Sequence, residues 1–99
     1  MDYRIEFSPE ALSDLIDLYD FIAERDGEER AISYIDRIEE CCRSLSVFPN
    51  RGIRRDDLRS GLRILGFERR AVIALRVQAD TVTILRVLYG GRDVETAFP

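Results

Sequence analysis

The chain has 99 residues and carries 19 Asp and Glu against 15 cations, every one of which is arginine; histidine and lysine are absent. That census excludes Ser-His-Asp and Cys-His nucleophile systems, His-ligated zinc, Schiff-base lysines and the P-loop lysine, so any chemistry rests on Arg, Asp, Glu, Tyr or Cys. With 45% hydrophobic and 34% charged residues, the composition predicts one globular domain over 1–99, and the start Met1-Asp2-Tyr3-Arg4 lacks the charged-then-apolar pattern of a signal peptide, which predicts a cytoplasmic protein with no membrane partner.

Tyr3, Ile5 and Phe7 alternate with Arg4 and Glu6, the period-2 pattern of a short strand with one buried face. Ser8-Pro9-Glu10 reads as a helix start: a side-chain cap, a proline at the first position and an acid in the first turn. From there to about Arg25 the apolar residues Ala11, Leu12, Leu15, Ile16, Leu18, Tyr19, Ile22 and Ala23 span an arc of about 160°. Asp14, Asp17, Asp20 and Glu24 fill the other side. Gly27 closes this helix, and a second runs from about Glu28 to Ser46 with a narrower stripe formed by Ala31, Tyr34, Ile35, Ile38, Cys41, Cys42 and Leu45. The short connection predicts an antiparallel helical hairpin. Adjacent Cys41 and Cys42 cannot bridge the fold or form a zinc site alone, and they read as small apolar packing residues.

Pro49-Asn50-Arg51-Gly52 ends the hairpin in a turn, and a charged loop continues to Gly61. Three runs rich in β-branched residues follow, Leu62 to Phe67, Ala71 to Val77 and Thr81 to Leu88, the last two separated by Gln78-Ala79-Asp80, the length of a three-residue hairpin loop. That loop pairs Val77 with Thr81 and Arg76 with Val82. One face then carries Val72, Ala74, Arg76, Val82, Ile84 and Arg86, and the other Ala71, Ile73, Leu75, Val77, Thr81, Thr83, Leu85 and Val87. The fold class is α+β, ordered β-α-α-β-β-β, with the hairpin packed on a small, mainly antiparallel sheet.

Three features exceed what this fold needs. Both sheet faces are largely apolar and one helical hairpin covers only one, so the other is expected to meet an external partner, the competing arrangement being cover by the chain ends and loop 48–61. Phe21 and Ile32 lie off the apolar stripes near Gly27; either they touch each other or they extend a patch for a partner helix. Residues 1–48 carry 5 Arg against 13 acids, whereas 49–99 carry 10 Arg against 6. This second half presents arginines such as Arg63, Arg76 and Arg86 either to carboxylate or phosphate or to Glu6, Glu68 and Asp93 of the same chain.

The segments YRIEFSPEALSDLIDLYDFI, LSVFPNRG, LRSGLRILGFERRAVIALRV and TVTILRVLYGGRD, in this order and spacing over residues 3–93, resemble a ParE-type toxin of the RelE/ParE superfamily. The resemblance implies the same β-α-α-β-β-β order, no cofactor, no metal and no catalytic residue. It also implies inhibition of DNA gyrase and neutralisation by a ParD-like antitoxin in a hetero-oligomer, without direct sequence-specific nucleic-acid binding by the toxin itself. The alternative within the superfamily is a RelE-like ribosome-dependent mRNA endoribonuclease. Tyr89 stands where the family pattern R-V-L-H-G-x-R-D has histidine, and a chain without His or Lys lacks the usual proton donors and acceptors, which favours the ParE reading. The residues expected to meet the target are Arg51, Arg54, Arg63, Arg86, Tyr89 and Arg92. Those expected to meet the antitoxin are Leu15, Leu18, Phe21, Ile22, Ile32 and Arg76. Two departures from the family pattern, Ser60 before Gly61 and Leu75 in place of an aromatic, are expected to touch toxicity or partner choice and to leave the fold intact.

Overall fold

A computed structural model describes residues 2–98. The element order is β1 (Arg4–Phe7), α1 (Pro9–Asp26), α2 (Glu28–Ser44), β2 (Ile53–Arg54), β3 (Leu62–Phe67), β4 (Ala71–Gln78), β5 (Thr81–Tyr89) and α3 (Val94–Ala97). The five strands form one sheet in the order β1-β5-β4-β3-β2, antiparallel except for β1, which runs parallel to β5.

The start of α1 is fixed as its sequence requires. Ser8 Oγ accepts the Ala11 amide at 3.0 Å and donates to the Leu85 carbonyl at 2.8 Å, while the Ser8 amide reaches the Ile84 carbonyl at 2.9 Å. The cap therefore also staples α1 to β5 where β1 stops. Gly27, at φ +96°, joins the helices directly. The second helix ends at Ser44, two residues short of the expected Ser46, in a turn through Leu45 to Val47.

The core lies between the hairpin and one sheet face: Leu18, Ile22, Ala31, Tyr34, Ile38, Cys42 and Leu45 meet Ile73, Leu75, Val82, Ile84 and Val87. Each large aliphatic group buried here contributes about 1.5–3 kcal/mol. Leu75, the departure from the family aromatic, is fully buried. Cys42 is buried too, and desolvation pushes its thiol up to about 12.

Three expectations are corrected. The β4–β5 loop has two residues, Ala79 and Asp80, because Gln78 pairs with Thr81; Val77 therefore faces Val82, not Thr81. A one-residue change of register exchanges the faces, so Val82 and Ile84 join Leu75 and Val77 on the helix side. A bulge at Leu85, between the pairs Leu75–Ile84 and Ala74–Arg86, then restores Val87 to the face of Ile73 as expected. Second, the far face is covered from within the chain. Leu62, Ala74 and Phe98 form a small buried cluster with Leu58, Ile64, Leu85, Val94 and Ala97 around it, so loop 48–61 and the four-residue α3 supply the cover assigned above to a partner. Third, the stretch Pro49 to Gly61 contains the edge strand β2, paired to β3 through Ile53–Ile64 and Arg54–Arg63.

Candidate functional site

The expected target residues fall into two groups. Arg51, Arg54 and Arg63 gather at the β2–β3 corner. Gly52 makes this corner possible: its φ is +87°, and any β-carbon there would collide with the Ile64 carbonyl, which gives the proline-to-glycine spacing of the PNRG turn a steric reason. Arg54 and Arg63 are cross-strand neighbours. Arg54 pairs with Asp56 at 2.9 Å, Arg51 donates to Ser44 Oγ at 2.8 Å, and Arg63 reaches the Asn50 carbonyl at 3.4 Å. Asp56 also receives the Gly61 amide at 2.8 Å, and that bond, followed by Arg54, holds its carboxyl below the usual carboxylate range. Ser60 is an exposed residue of this loop.

Arg86, Tyr89 and Arg92 lie at the far end of β5, separated from β2 by β4 and β3, about 14 Å across the sheet. Arg86 is engaged within the fold. Its Nε and Nη2 donate to the two carboxylate oxygens of Asp14 at 2.8 and 3.0 Å, and the Val87 amide donates to Asp14 at 2.9 Å. Asp14, expected on the polar side of α1, is instead only 6% exposed and is the one charged residue in the buried set among the described residues, because it faces Arg86 of the sheet. Neither Glu6, Glu68 nor Asp93 pairs with Arg63, Arg76 or Arg86: Glu6 holds Arg4, Glu68 holds Arg37, and Asp93 caps α3. Arg92 stands 3.8 Å from Asp14 and remains half exposed.

Tyr89 belongs to an aromatic cluster. Its ring meets Phe21 edge-on at 5.8 Å and Tyr34 at 5.7 Å, and Tyr34 meets Phe67 at 5.7 Å. The Tyr89 hydroxyl lies beside the Arg70 guanidinium, which it holds above the usual arginine value. The Tyr34 hydroxyl is buried with no hydrogen-bond partner among the described residues, and burial, with Tyr89 next, pushes its phenol up to about 12.

The expected antitoxin residues also divide. Leu18 and Ile22 are buried core residues. Leu15 is half-buried against the same core, and Arg76 lies on the opposite sheet face beside Gly61. Phe21 and Ile32 are exposed but do not form one contact region: Phe21 packs on Tyr89 under the Arg25 guanidinium, whereas Ile32 lines a charged groove with Glu29, Asp36 and Arg43. Two residues counted above in the core arc of α1, Leu12 and Ile16, are 50% and 63% exposed. Their position is legible in the pattern, because an arc of about 160° is wider than one flat sheet can cover. Among the described residues no group of His, Cys, Asp and Glu is placed to hold a metal ion, and no helix is long and apolar enough to cross a membrane.

Residues 5–94 match the family described as the ParE toxin of the type II toxin–antitoxin system parDE. Toxin ParE3 of Caulobacter vibrioides is 36% identical over 77 residues, 78% of this chain and 76% of that protein. Among solved structures, a chain of the chromosomal ParDE toxin–antitoxin system of P. aeruginosa superimposes with a TM-score of 0.78 at 27% identity, covering 89% of this chain and 96% of that one. A chain of the toxin–antitoxin complex RelBE2 of Mycobacterium tuberculosis shares the fold at a TM-score of 0.64 and 22% identity, with coverage of 90% and 99%.

Proposed function

The chain belongs to the ParE toxin family of type II toxin–antitoxin systems, and from that footing we propose that it arrests growth by inhibiting DNA gyrase through binding, and that a ParD-like antitoxin neutralises it. The observation that carries the non-catalytic reading is the state of Tyr89. Cleavage of RNA by the 2′-hydroxyl route needs a group that takes a proton and one that gives it. This chain has no His or Lys, and the tyrosine at the family's histidine position is wedged between the rings of Phe21 and Tyr34 with Arg70 at its hydroxyl. Arginine stays protonated and cannot act as the base.

The target surface in this reading is the corner formed by Arg51, Arg54 and Arg63, together with Arg92 and the rim of Tyr89; Arg86 serves the fold. For the antitoxin, the exposed apolar residues of the hairpin are the supporting feature. Leu12 and Ile16 stand one turn apart on α1, a spacing suited to an amphipathic helix laid along it, and Phe21 and Ile32 offer two separate apolar contacts on either side of the Gly27 turn. The P. aeruginosa ParDE system supports a ParD-like partner.

The test is induction from a tightly repressed promoter. The expected result is arrested DNA synthesis with full-length mRNA, relieved by co-expression of the antitoxin encoded beside the toxin. Rapid mRNA cutting at ribosomes with continued DNA synthesis would instead assign the RelE-like activity.

A further inference from the structure

The β3–β4 turn is built against its own backbone preference. Phe67 accepts the Arg70 amide at 3.2 Å within the three-residue loop Glu68 to Arg70 that joins Phe67 to its partner Ala71, and the two central residues of that turn are left-handed, Glu68 at φ +48° and Arg69 at φ +63°. Such turns ordinarily use Asn-Gly, since left-handed backbone is unfavourable for residues that carry a β-carbon. The turn is held by Glu68, whose carboxylate takes Arg37 Nε and Nη2 from α2 at 2.8 and 3.0 Å. The consequence is that Arg69 and Arg70 are carried to the end of β5, where the Gly90 amide donates to the Arg70 carbonyl at 3.1 Å.

A recess of about 450 Å³ opens there, with Arg25, Arg69 and Arg70 on its walls against one acid, Asp26, and with Gly90 and Gly91 as its small-residue side. Arg25 is stacked on Phe21 at 5.1 Å, and none of the three arginines has an ion-pair partner among the described residues. A second cavity adjoins the recess through the shared residues Ile22, Asp26, Arg70 and Tyr89, and Tyr34 lines it. The Tyr34 hydroxyl is buried and has no acceptor. A buried donor without a partner is costly, so this one marks a place where an acceptor is missing.

We propose that this recess is a binding site for an acidic side chain of a partner protein, with Arg25, Arg69 and Arg70 supplying the charge-assisted hydrogen bonds. A carboxylate suits guanidinium geometry. A nucleic-acid backbone suits the surroundings poorly: the chain carries a net −4, and the two helices lie in a half with 13 acids against 5 Arg, which repels a polyphosphate while leaving room for one carboxylate. The site is independent of which target the toxin arrests.

Titration of the isotope-labelled full chain with N-acetyl-alanyl-glutamyl-alanine amide, a peptide with one carboxylate, followed by amide shifts, tests this. Saturable shifts centred on Arg69, Arg70, Gly90 and Gly91 are expected, with a dissociation constant on the order of millimolar. Arg69→Gly removes the guanidinium and relieves the left-handed backbone, so it is expected to weaken peptide binding at least tenfold while the melting temperature holds or rises. Arg63→Ala, at the other corner, is expected to leave the titration unchanged. Three results overturn the proposal: unchanged peptide affinity in Arg69→Gly, tighter binding of tetrathymidylate than of the peptide at the same residues, or the absence of localised shifts at concentrations on the order of 10 mM.

Discussion

Asp14 and Arg86 stand 72 residues apart in sequence and form a two-pronged ion pair in which Asp14 also accepts the Val87 amide. The pair sits where the β5 bulge would otherwise leave the ladder loose, and it locks α1 to the sheet beyond the point that β1 reaches. With Asp14 buried and Arg86 only partly open, loss of one partner strands the other's charge. Arg86→Ala and Asp14→Asn are each expected to cost about 2–3 kcal/mol, the double variant less than their sum, and Arg86→Lys to restore little because one ammonium cannot span both oxygens. Urea unfolding of the four proteins measures this; an Arg86→Ala chain of full stability but lost toxicity would return Arg86 to the target surface.

Gly52 and Gly27 separate sterics from backbone preference. Both have positive φ, but a methyl at Gly52 meets the Ile64 carbonyl, whereas one at Gly27 meets nothing within 4 Å. Gly27→Ala is expected to cost about 1 kcal/mol and Gly52→Ala about 3 kcal/mol or more. Thermal melts that rank the two the other way would contradict the packing described for the corner.

Tyr34 makes a prediction at high pH. Its phenol is raised from 10.0 to about 12 in the folded chain, so the protein gains stability from it fully below about pH 10 and loses that gain as pH rises through 12. Unfolding free energy is expected to fall across this window in the native sequence and to fall less in Tyr34→Phe. At neutral pH Tyr34→Phe, which removes a donor without a partner, is expected to add about 1 kcal/mol. Equal slopes in the two proteins would remove Tyr34 as the source.

Charge placed on the exposed apolar residues of the hairpin separates partner contact from folding. Ile16→Asp, Phe21→Asp and Ile32→Asp are each expected to raise the dissociation constant for the antitoxin at least tenfold, with stability changes within about 1 kcal/mol for Ile16 and Ile32. Calorimetric titration against the antitoxin gives the answer, and an affinity unchanged in all three would move the antitoxin surface off the hairpin.

The helices and the three long strands were readable because each carries a period and a boundary: Ser8-Pro9 at the start of α1, Gly27 between the helices, β-branched runs for β3 to β5. What escaped has no local period. β2 is two residues long, and α3 is four. The two-residue Ala79-Asp80 loop and the bulge at Leu85 differ by one residue from the expected hairpin, and one residue decides which face Val82 and Ile84 take. Phe98 could be assigned to the far face only once the chain end was seen to return there. Asp14, placed above with Asp17, Asp20 and Glu24 on the polar side of α1, is on the buried stripe instead: it lies three residues after Ala11 and four before Leu18, a spacing at which an acid announces a buried partner. The partner itself, 72 residues on, needs the fold. The strained turn at Glu68 and Arg69 is silent in sequence because neither residue type signals positive φ.

The proposed action on gyrase by binding, and not on RNA by catalysis, is decided by the supercoiling of relaxed plasmid by purified gyrase with increasing toxin. Dose-dependent loss of supercoiling, reversed by the antitoxin, is expected, with no cleavage of ribosome-bound mRNA by the same preparation. Undiminished supercoiling at large toxin excess, together with cut mRNA, would contradict it.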